Sequence, residues 1–342
     1  MAIITFKPKQ VTKRLSNVLG ERPRFVIMNR FGLGDNASRM TLESIGGTYG
    51  ITRERVRQIE NFGLNAIRKS DMFNKEQAVF EELVKIVTEL GGIVSEEDLL
   101  GHISKDPKTQ NHVHFLLVLG DEFKKEKENK EFKHRWSVDK DIADIVHISL
   151  QEMSKKLTKN DIVSEGEMIA NFVNQLKDIS EQYKNEEIIK RWLGLSKVIG
   201  RNPLGEWGIA ESSNINARGV RDYAFLVIRR HGSPMHFTEV AEAITDLFGK
   251  NAHTATCHNE LIKDKRFVLV GRGLYALKEW GYQTGVVKDV IKKVLQQHQP
   301  LSKEKIVEQV LKERYVKENT IAVNLQDTNI FKKDKQGKYS LV

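Results

Sequence analysis

Thr41-Leu-Glu-Ser-Ile-Gly-Gly-Thr-Tyr-Gly50, followed by Ile51-Thr-Arg-Glu-Arg-Val-Arg-Gln-Ile-Glu60, is the stretch on which the reading of this chain turns. It reads as two helices joined by a tight turn. Leu42, Ile45, Tyr49 and Ile51 give the first helix an inward side. Gly50 stands where a short turn needs a permissive backbone. Thr52 is placed to cap the second helix through its hydroxyl. From there Val56, Ile59, Gly63 and Ile67 recur at helical spacing and face inward. Arg53, Glu54, Arg57, Gln58 and Asn61 fall on the opposite face, a polar stripe suited to the edges of DNA bases.

This pattern is a helix-turn-helix, with the second helix able to lie in a major groove. A helical pair with a merely solvated charged face would not need the turn, the cap and the stripe together. The surrounding sequence extends the pattern. Val26-Ile-Met-Asn-Arg-Phe-Gly-Leu33, Thr41-Leu-Glu-Ser-Ile-Gly46, Tyr49 to Glu60 and Ala66-Ile-Arg68 make residues 15–70 resemble region 4 of the bacterial sigma-70 family. The resemblance implies a domain that reads a promoter element and docks on the flap of the RNA polymerase β subunit. It puts Arg53, Glu54, Arg57 and Gln58 on base- and phosphate-contacting positions. The full set expected to face DNA is Arg39, Thr41, Thr52, Arg53, Glu54, Arg55, Arg57, Gln58 and Asn61. Three residues depart from the family pattern. Ser44 replaces an acid, Pro23 interrupts a charged run, and Gly63 replaces a helix former at a cost of roughly 1 kcal/mol in mid-helix.

Charge sharpens the expectation. The 342 residues carry a net charge of +9, unevenly spread. Residues 1–70 hold 13 Lys or Arg and 5 Asp or Glu, whereas residues 71–210 hold 20 and 26. Residues 211–283 hold 10 and 8, and residues 284–342 hold 12 and 7. The positive field therefore lies at both ends, as expected for a chain that meets a polyanion. The acidic middle suits a protein partner or plain solvation. A single cysteine, Cys257, excludes an internal disulfide framework. There is no signal-peptide pattern at the N-terminus and no run of about 18 apolar residues, so no membrane partner is expected. A cytoplasmic, nucleoid-associated location follows as an expectation. Asn36-Ala-Ser38 is a chance glycosylation sequon on that view.

The rest of the chain reads as one plan used four times: two or three helices, then a hairpin closing at an aromatic residue. The closing aromatics are Trp136, Trp207, Tyr275 and Tyr339, which are 71, 68 and 64 residues apart. A recurring period of this kind marks tandem modules. In the first unit the pattern predicts a helix through Phe80, Leu83, Val84, Val87 and Leu90, a stop at Gly91-Gly92, and a short helix capped by Ser95. It also predicts a third helix from His112 to Leu119 and a hairpin from Phe123 to Trp136. The expected fold is mainly α with small β-wings: a helix-turn-helix domain at 1–72, then winged-helix-like modules at 75–139, 140–212, 218–282 and 284–342. Ser233 to Ile244 and Asp264 to Tyr282 make residues 218–282 resemble the HARE winged-helix family, which includes the N-terminal domain of the RNA polymerase delta subunit. That resemblance implies an accessory nucleic-acid or polymerase role.

Two readings of the wings stand: groove-entering modules, or rigid protein-binding spacers. Lys332, Lys333, Lys335 and Lys338 on the last hairpin are expected to make a secondary DNA contact. Lys124, Lys125, Lys127, Lys130 and Lys133 alternate with Glu126, Glu128 and Glu131 and read as a solvated hairpin. Gly271-Arg-Gly-Leu-Tyr-Ala276 loosely matches a dinucleotide-binding pattern, but it runs from strand to strand where that pattern needs a helix. His253, Cys257 and His258 lack the fourth ligand of a structural zinc site. No catalytic constellation, metal or cofactor is expected, and the chain reads as a non-enzyme. The leading expectation is a sequence-specific double-stranded DNA-binding regulator of transcription acting with RNA polymerase. A polymerase-binding accessory factor and a DNA-recognition subunit of a nuclease or modification system are the alternatives. With only about 14 residues before the region-4-like segment and no aromatic-rich basic helix after it, the chain is expected not to open promoters alone.

Overall fold

The computed structural model describes residues 4–35, 37–176, 179–282, 285–298 and 300–342. Asn36 of the sequon and residues 1–3 lie outside them. The chain is mainly α with small antiparallel sheets, the architecture of a helix-turn-helix followed by winged modules. It divides into two compact units, Met1–Gly200 with Trp207–Glu211, and Arg201–Glu206 with Ser212–Val342.

The first unit opens with five helices: α1 (Pro8–Ser16), α2 (Glu21–Phe31), α3 (Leu42–Tyr49), α4 (Arg53–Arg68) and α5 (Asp71–Lys75). Pro23, which interrupts the charged run, sits in the first turn of α2, where backbone N–H groups have no intrahelical partner, so it does not break the helix. Next come α6 (Gln77–Glu89), β1 (Ile93–Ser95), α7 (Glu96–Ile103), α8 (Pro107–Leu119), β2 (Lys124–Glu126) and β3 (Arg135–Ser137). Ser95 accepts from Asp98 N and starts α7, as its position implies. The third helix begins five residues earlier than periodicity suggests. Pro107 suits its first turn and Asp106 caps it by accepting from Lys108 N and Thr109 N. After these follow α9 (Lys140–Lys156), α10 (Glu165–Gln175), α11 (Glu186–Leu193) and the hairpin of β4 (Ile199–Arg201) and β5 (Trp207–Ile209).

The second unit repeats the plan twice. The first copy is α12 (Val220–His231), β6 (Met235–His236), α13 (Phe237–Phe248), α14 (Thr254–Lys263), β7 (Phe267–Gly271) and β8 (Leu274–Leu277). The second is α15 (Val287–His298), β9 (Leu301–Ser302), α16 (Lys303–Glu313), α17 (Glu318–Asn324), β10 (Phe331–Lys333) and β11 (Lys338–Leu341). The Gly271–Ala276 stretch is strand, turn and strand, with Gly273 at a φ of +73°.

Register ties the four repeats together. In each three-stranded sheet the last strand lies in the middle, as β1-β3-β2, β6-β8-β7 and β9-β11-β10. The closing aromatic of each repeat sits opposite one residue of the strand after the first helix. The pairs are Val94 with Trp136, Val163 with Trp207, Met235 with Tyr275 and Leu301 with Tyr339. In the repeat of residues 140–212 that first strand shrinks to the single bridge at Val163.

The first two segments share one core. Val11, Leu15, Ile27, Phe31, Leu64 and Ile67 join Phe80, Leu83, Val113, Phe115, Leu117 and Trp136 in a single buried cluster. Helix α8 lies at its centre, with Asn111 through Leu117 and Leu119 all buried. The third helix of the first module therefore cannot enter a DNA groove. Helix α11 is also turned inward: Ile188, Ile189, Trp192 and Leu193 are buried, and Trp192 Nε1 donates to Gly91 O (3.2 Å). The hairpin with alternating lysines and glutamates turns those lysines to solvent, as expected, but it is also held from beneath. Phe132 and Arg135 are buried, Lys133 N donates to Leu195 O (3.0 Å), and Lys197 N donates to Glu131 O (2.7 Å). In the second unit Gly271 forms a bridge to Tyr315, and a Cβ there would lie 2.8 Å from Tyr315 O. Two of the wings thus hold neighbouring segments.

Candidate nucleic-acid interface

The interface is built on the α3–α4 pair. Thr41 caps α3 by accepting from Ser44 N (3.1 Å), and Thr52 caps α4 by accepting from Arg55 N (3.2 Å). Between them Gly50 takes a φ of +61°, and Ile51 N donates back to Gly46 O (3.0 Å), closing the helix end. A Cβ on Gly46 would stand 2.5 Å from Ile51 O, so the turn requires glycine there. Ile45, Val56 and Ile59 join Val26 in a small core under the motif. Gly63 is in the middle of α4 as expected, and its missing side chain admits Ile27. A Cβ would meet Ile27 Cγ1 at 3.2 Å, so the helix former of the family pattern would crowd α2.

One inward assignment is corrected. Tyr49 is 37% exposed; its ring packs edge-on against Phe25 at 5.1 Å and lies beneath the Arg22 guanidinium. Its position at the C-terminus of α3, just before the turn, swings it off the buried face.

The stripe on α4 is solvent-exposed, as its spacing implies. Arg53, Glu54, Arg55, Arg57, Gln58 and Asn61 all lie on the open face. They are partly paired with one another. Arg57 donates to Glu54 through Nε (2.9 Å) and Nη2 (2.7 Å), and Arg55 Nη1 donates to Gln58 Oε1 (3.0 Å). The hydrogen bond from Arg57 holds the Glu54 carboxyl below its ordinary range, and Glu54 raises Arg57 in turn. Such exposed pairs exchange readily, so the same groups can turn to phosphates or base edges. Arg39 is exposed too, but its Nε donates to Asn111 Oδ1 (2.7 Å).

Asn111 is a positioning residue that the sequence reading missed. It is buried on α8, and its Nδ2 donates to Gly32 O (3.1 Å) and Ala37 O (2.8 Å). With Arg39 it fixes the loop that delivers Thr41. The available signal was a polar Asn-His pair at the head of the apolar run that ends α8. Arg30 adds a second tie, donating to Met40 O (3.2 Å) and lying 3.6 Å from Glu60, whose carboxyl burial pushes up.

Lys332, Lys333, Lys335 and Lys338 are exposed on the β10–β11 hairpin. The intervening Asp334 is engaged by the turn, accepting from Gln336 N (2.8 Å) and Lys338 N (2.9 Å). The His253, Cys257 and His258 group does not converge. Cys257 is buried with its thiol pushed up to about 11 by burial, His258 stacks on Phe237, and His253 is exposed.

Residues 17–69 match the sequence profile of Sigma-70, region 4. Over 50 residues the chain is 52% identical to the RNA polymerase sigma factor RpoD of Helicobacter pylori, covering 15% of this chain and 8% of that protein. Over 60 residues it is 43% identical to the sigma factor SigA of a Bacillus species, covering 18% and 16%. The chain thus spans less than a fifth of the length of these relatives. The likeness rests on the segment that holds α2, α3 and α4, and that segment folds as a helix-turn-helix of the sigma-70 region 4 type.

Proposed function

We propose that this chain is a sequence-specific double-stranded DNA-binding regulator of transcription that acts with RNA polymerase. The observation that carries the reading is the exposed stripe of Arg53, Glu54, Arg57 and Gln58 on a capped helix over a buried Val56–Ile59–Gly63 face. Arginine pairs with guanine, glutamine with adenine, and a carboxylate accepts from cytosine in the major groove. The polymerase partner is supported by the likeness of residues 17–69 to sigma factors, and by the HARE-type pattern at 218–282. The chain's cytoplasmic location and its lack of enzymatic activity belong to the same proposal. Lysines of the last hairpin add a contact to the phosphate backbone.

The test is a selection of bound sequences from random duplexes with the full chain, repeated with Gln58→Ala. A single enriched motif that loses definition at one position in the variant supports the reading. No enrichment, or the same motif from both proteins, overturns it. Co-purification of RNA polymerase before and after nuclease treatment tests the partner separately.

A further inference from the structure

We propose that a cavity of about 300 Å3 between α1, α2 and α8 binds the phosphoryl group of a small phosphorylated metabolite, separately from the DNA-facing stripe. This is at the lower end of ligand-sized pockets. Its lining brings together three cations, Lys9, Lys13 and Arg24, against one carboxylate, Asp35. Lys9 and Asp35 meet at 3.2 Å, but both are largely exposed, so the pair yields easily to a stronger anion. Lys13 and Arg24 have no side-chain partner among the described residues. The lining thus carries a net positive charge, which favours an anionic ligand.

The floor is built as well. Thr12, Ser16 and His112 line the cavity and are themselves buried, His112 to 4% exposure. The Thr12 hydroxyl donates to Lys9 O (3.2 Å) and lies 2.7 Å from His112 Nδ1. With its proton given to the carbonyl, the hydroxyl accepts from Nδ1–H. That leaves Nε2 as the ring nitrogen without a protein partner, and as a lone pair while the ring is neutral. Burial, then the charge of Lys9, lowers the His112 pKa, with Asp106 opposing. The charges acting on the ring are Lys9 on α1 and Asp106 at the start of α8, and Lys13 on α1, Arg24 on α2 and Asp35 on the loop after α2 line the same cavity. A bound dianion adds negative charge beside the ring and favours its protonated form, in which Nε2–H becomes a donor to the ligand. Binding therefore takes up a proton. A small anion fits better than the DNA backbone, because a duplex presents phosphates on a convex rod and this floor is recessed behind long side chains.

The experiment is titration calorimetry of the full chain with pyrophosphate, run in two buffers of different ionisation enthalpy. Sulfate, whose charge is constant, serves for the pH dependence. Expected is saturable one-to-one binding with proton uptake near neutral pH, and tighter sulfate binding at about pH 5.5 than at about pH 8. The Lys13→Gln, Arg24→Gln double variant should lose about tenfold or more in affinity, with its unliganded melting temperature unchanged or raised. His112→Gln should lose the proton uptake. Absence of saturable binding up to about 10 mM pyrophosphate overturns the proposal, as does equal binding by the double variant. So does a double variant that loses DNA affinity while no free anion binds to the parent chain, which would make these cations a backbone contact.

Discussion

Helices α4 and α8 hold the same formal place, each the helix of its motif that could enter a groove, and they meet opposite fates. On α4 the outer face carries Arg53, Glu54, Arg57, Gln58 and Asn61, all open to solvent. On α8 residues Asn111 through Leu117 are buried, because the helix seals the apolar side of α1, α2 and α4. Position in a winged topology therefore does not assign the reading role. What decides it is whether another element needs the helix's outer face for burial. The wings follow the same rule. The β2–β3 wing holds the backbone of Leu195 and Lys197, whereas the β10–β11 hairpin presents its lysines to solvent.

The largest test of this contrast is Phe115→Ala on α8. Phe115 is fully buried and its ring meets Phe31 edge-on at 5.0 Å. Its loss should cost about 3–5 kcal/mol. Because the core is continuous, the helix-turn-helix and the first module should melt in one transition. Urea unfolding followed by tryptophan fluorescence, with hydrogen exchange of α4 amides, reads both. If α4 kept its protection while the Trp136 environment melted, the shared core would not couple them. Arg53→Ala, on the open face, should shift stability by less than about 0.5 kcal/mol.

Next in size are the effects on recognition. Gln58→Ala should lose about 1–3 kcal/mol of discrimination at one base pair. Asn111→Ala leaves the carbonyls of Gly32 and Ala37 without their donor and frees Arg39. It should cost about 1–3 kcal/mol of stability and weaken all DNA sequences alike. Binding measured on the preferred site and its single-base variants separates the two. A change of base preference in Asn111→Ala would mean that the residue does more than position the loop.

These contrasts show what the sequence could and could not carry. The caps at Thr41 and Thr52, the turn at Gly50 and the inward Val56–Ile59–Gly63–Ile67 row are local, and local patterns were enough to place them. The four closing aromatics were legible because each repeat spends one large ring on the same cross-strand position. The burial of α8 was not legible. Its apolar side reads the same whether it covers its own module or a neighbour. Tyr49 was misplaced because helical periodicity fails in the last turn before a break. The clasp at Phe132–Lys133 was not legible because the charged side chains around it are solvated, as their pattern says, while its bonds are made by backbone groups.

A smaller effect is expected from pH, again centred on α8. Burial pushes down the imidazoles of His112 and His114. Burial also depresses His147 beside Arg135. A histidine with a lowered folded pKa binds its proton more readily in the unfolded chain. Stability is therefore full above about pH 6.5 and is lost as pH falls toward the lowered values. Burial alone would raise the Glu96 carboxyl, but hydrogen bonds from His114 and Lys125 outweigh it and hold it well below the usual range. Its contribution is lost only below about pH 4.3. Melting temperature should thus hold from about pH 8 to 7, then fall in two stages. His114→Gln should shrink the first stage, and a melting temperature that rose on acidification would contradict the assignment.

The subtlest comparison sets the two wings against each other. Neutralising Lys332, Lys333, Lys335 and Lys338 together, each to Gln, should lower the slope of log affinity against log salt by up to about 0.9 for every phosphate they meet. It should leave the preferred sequence unchanged, because a backbone contact carries no base information. Lys127→Gln with Lys130→Gln on the first wing should leave the slope unaltered. Those lysines alternate with Glu126, Glu128 and Glu131, and Glu128 is paired with Lys197. The field of that hairpin largely cancels before it reaches a polyanion, and its tip is held by backbone bonds to residues 195–197. Equal slope changes from the two sets would show that lysine number rather than wing freedom governs the contact. No change from either set would confine DNA binding to the α3–α4 pair.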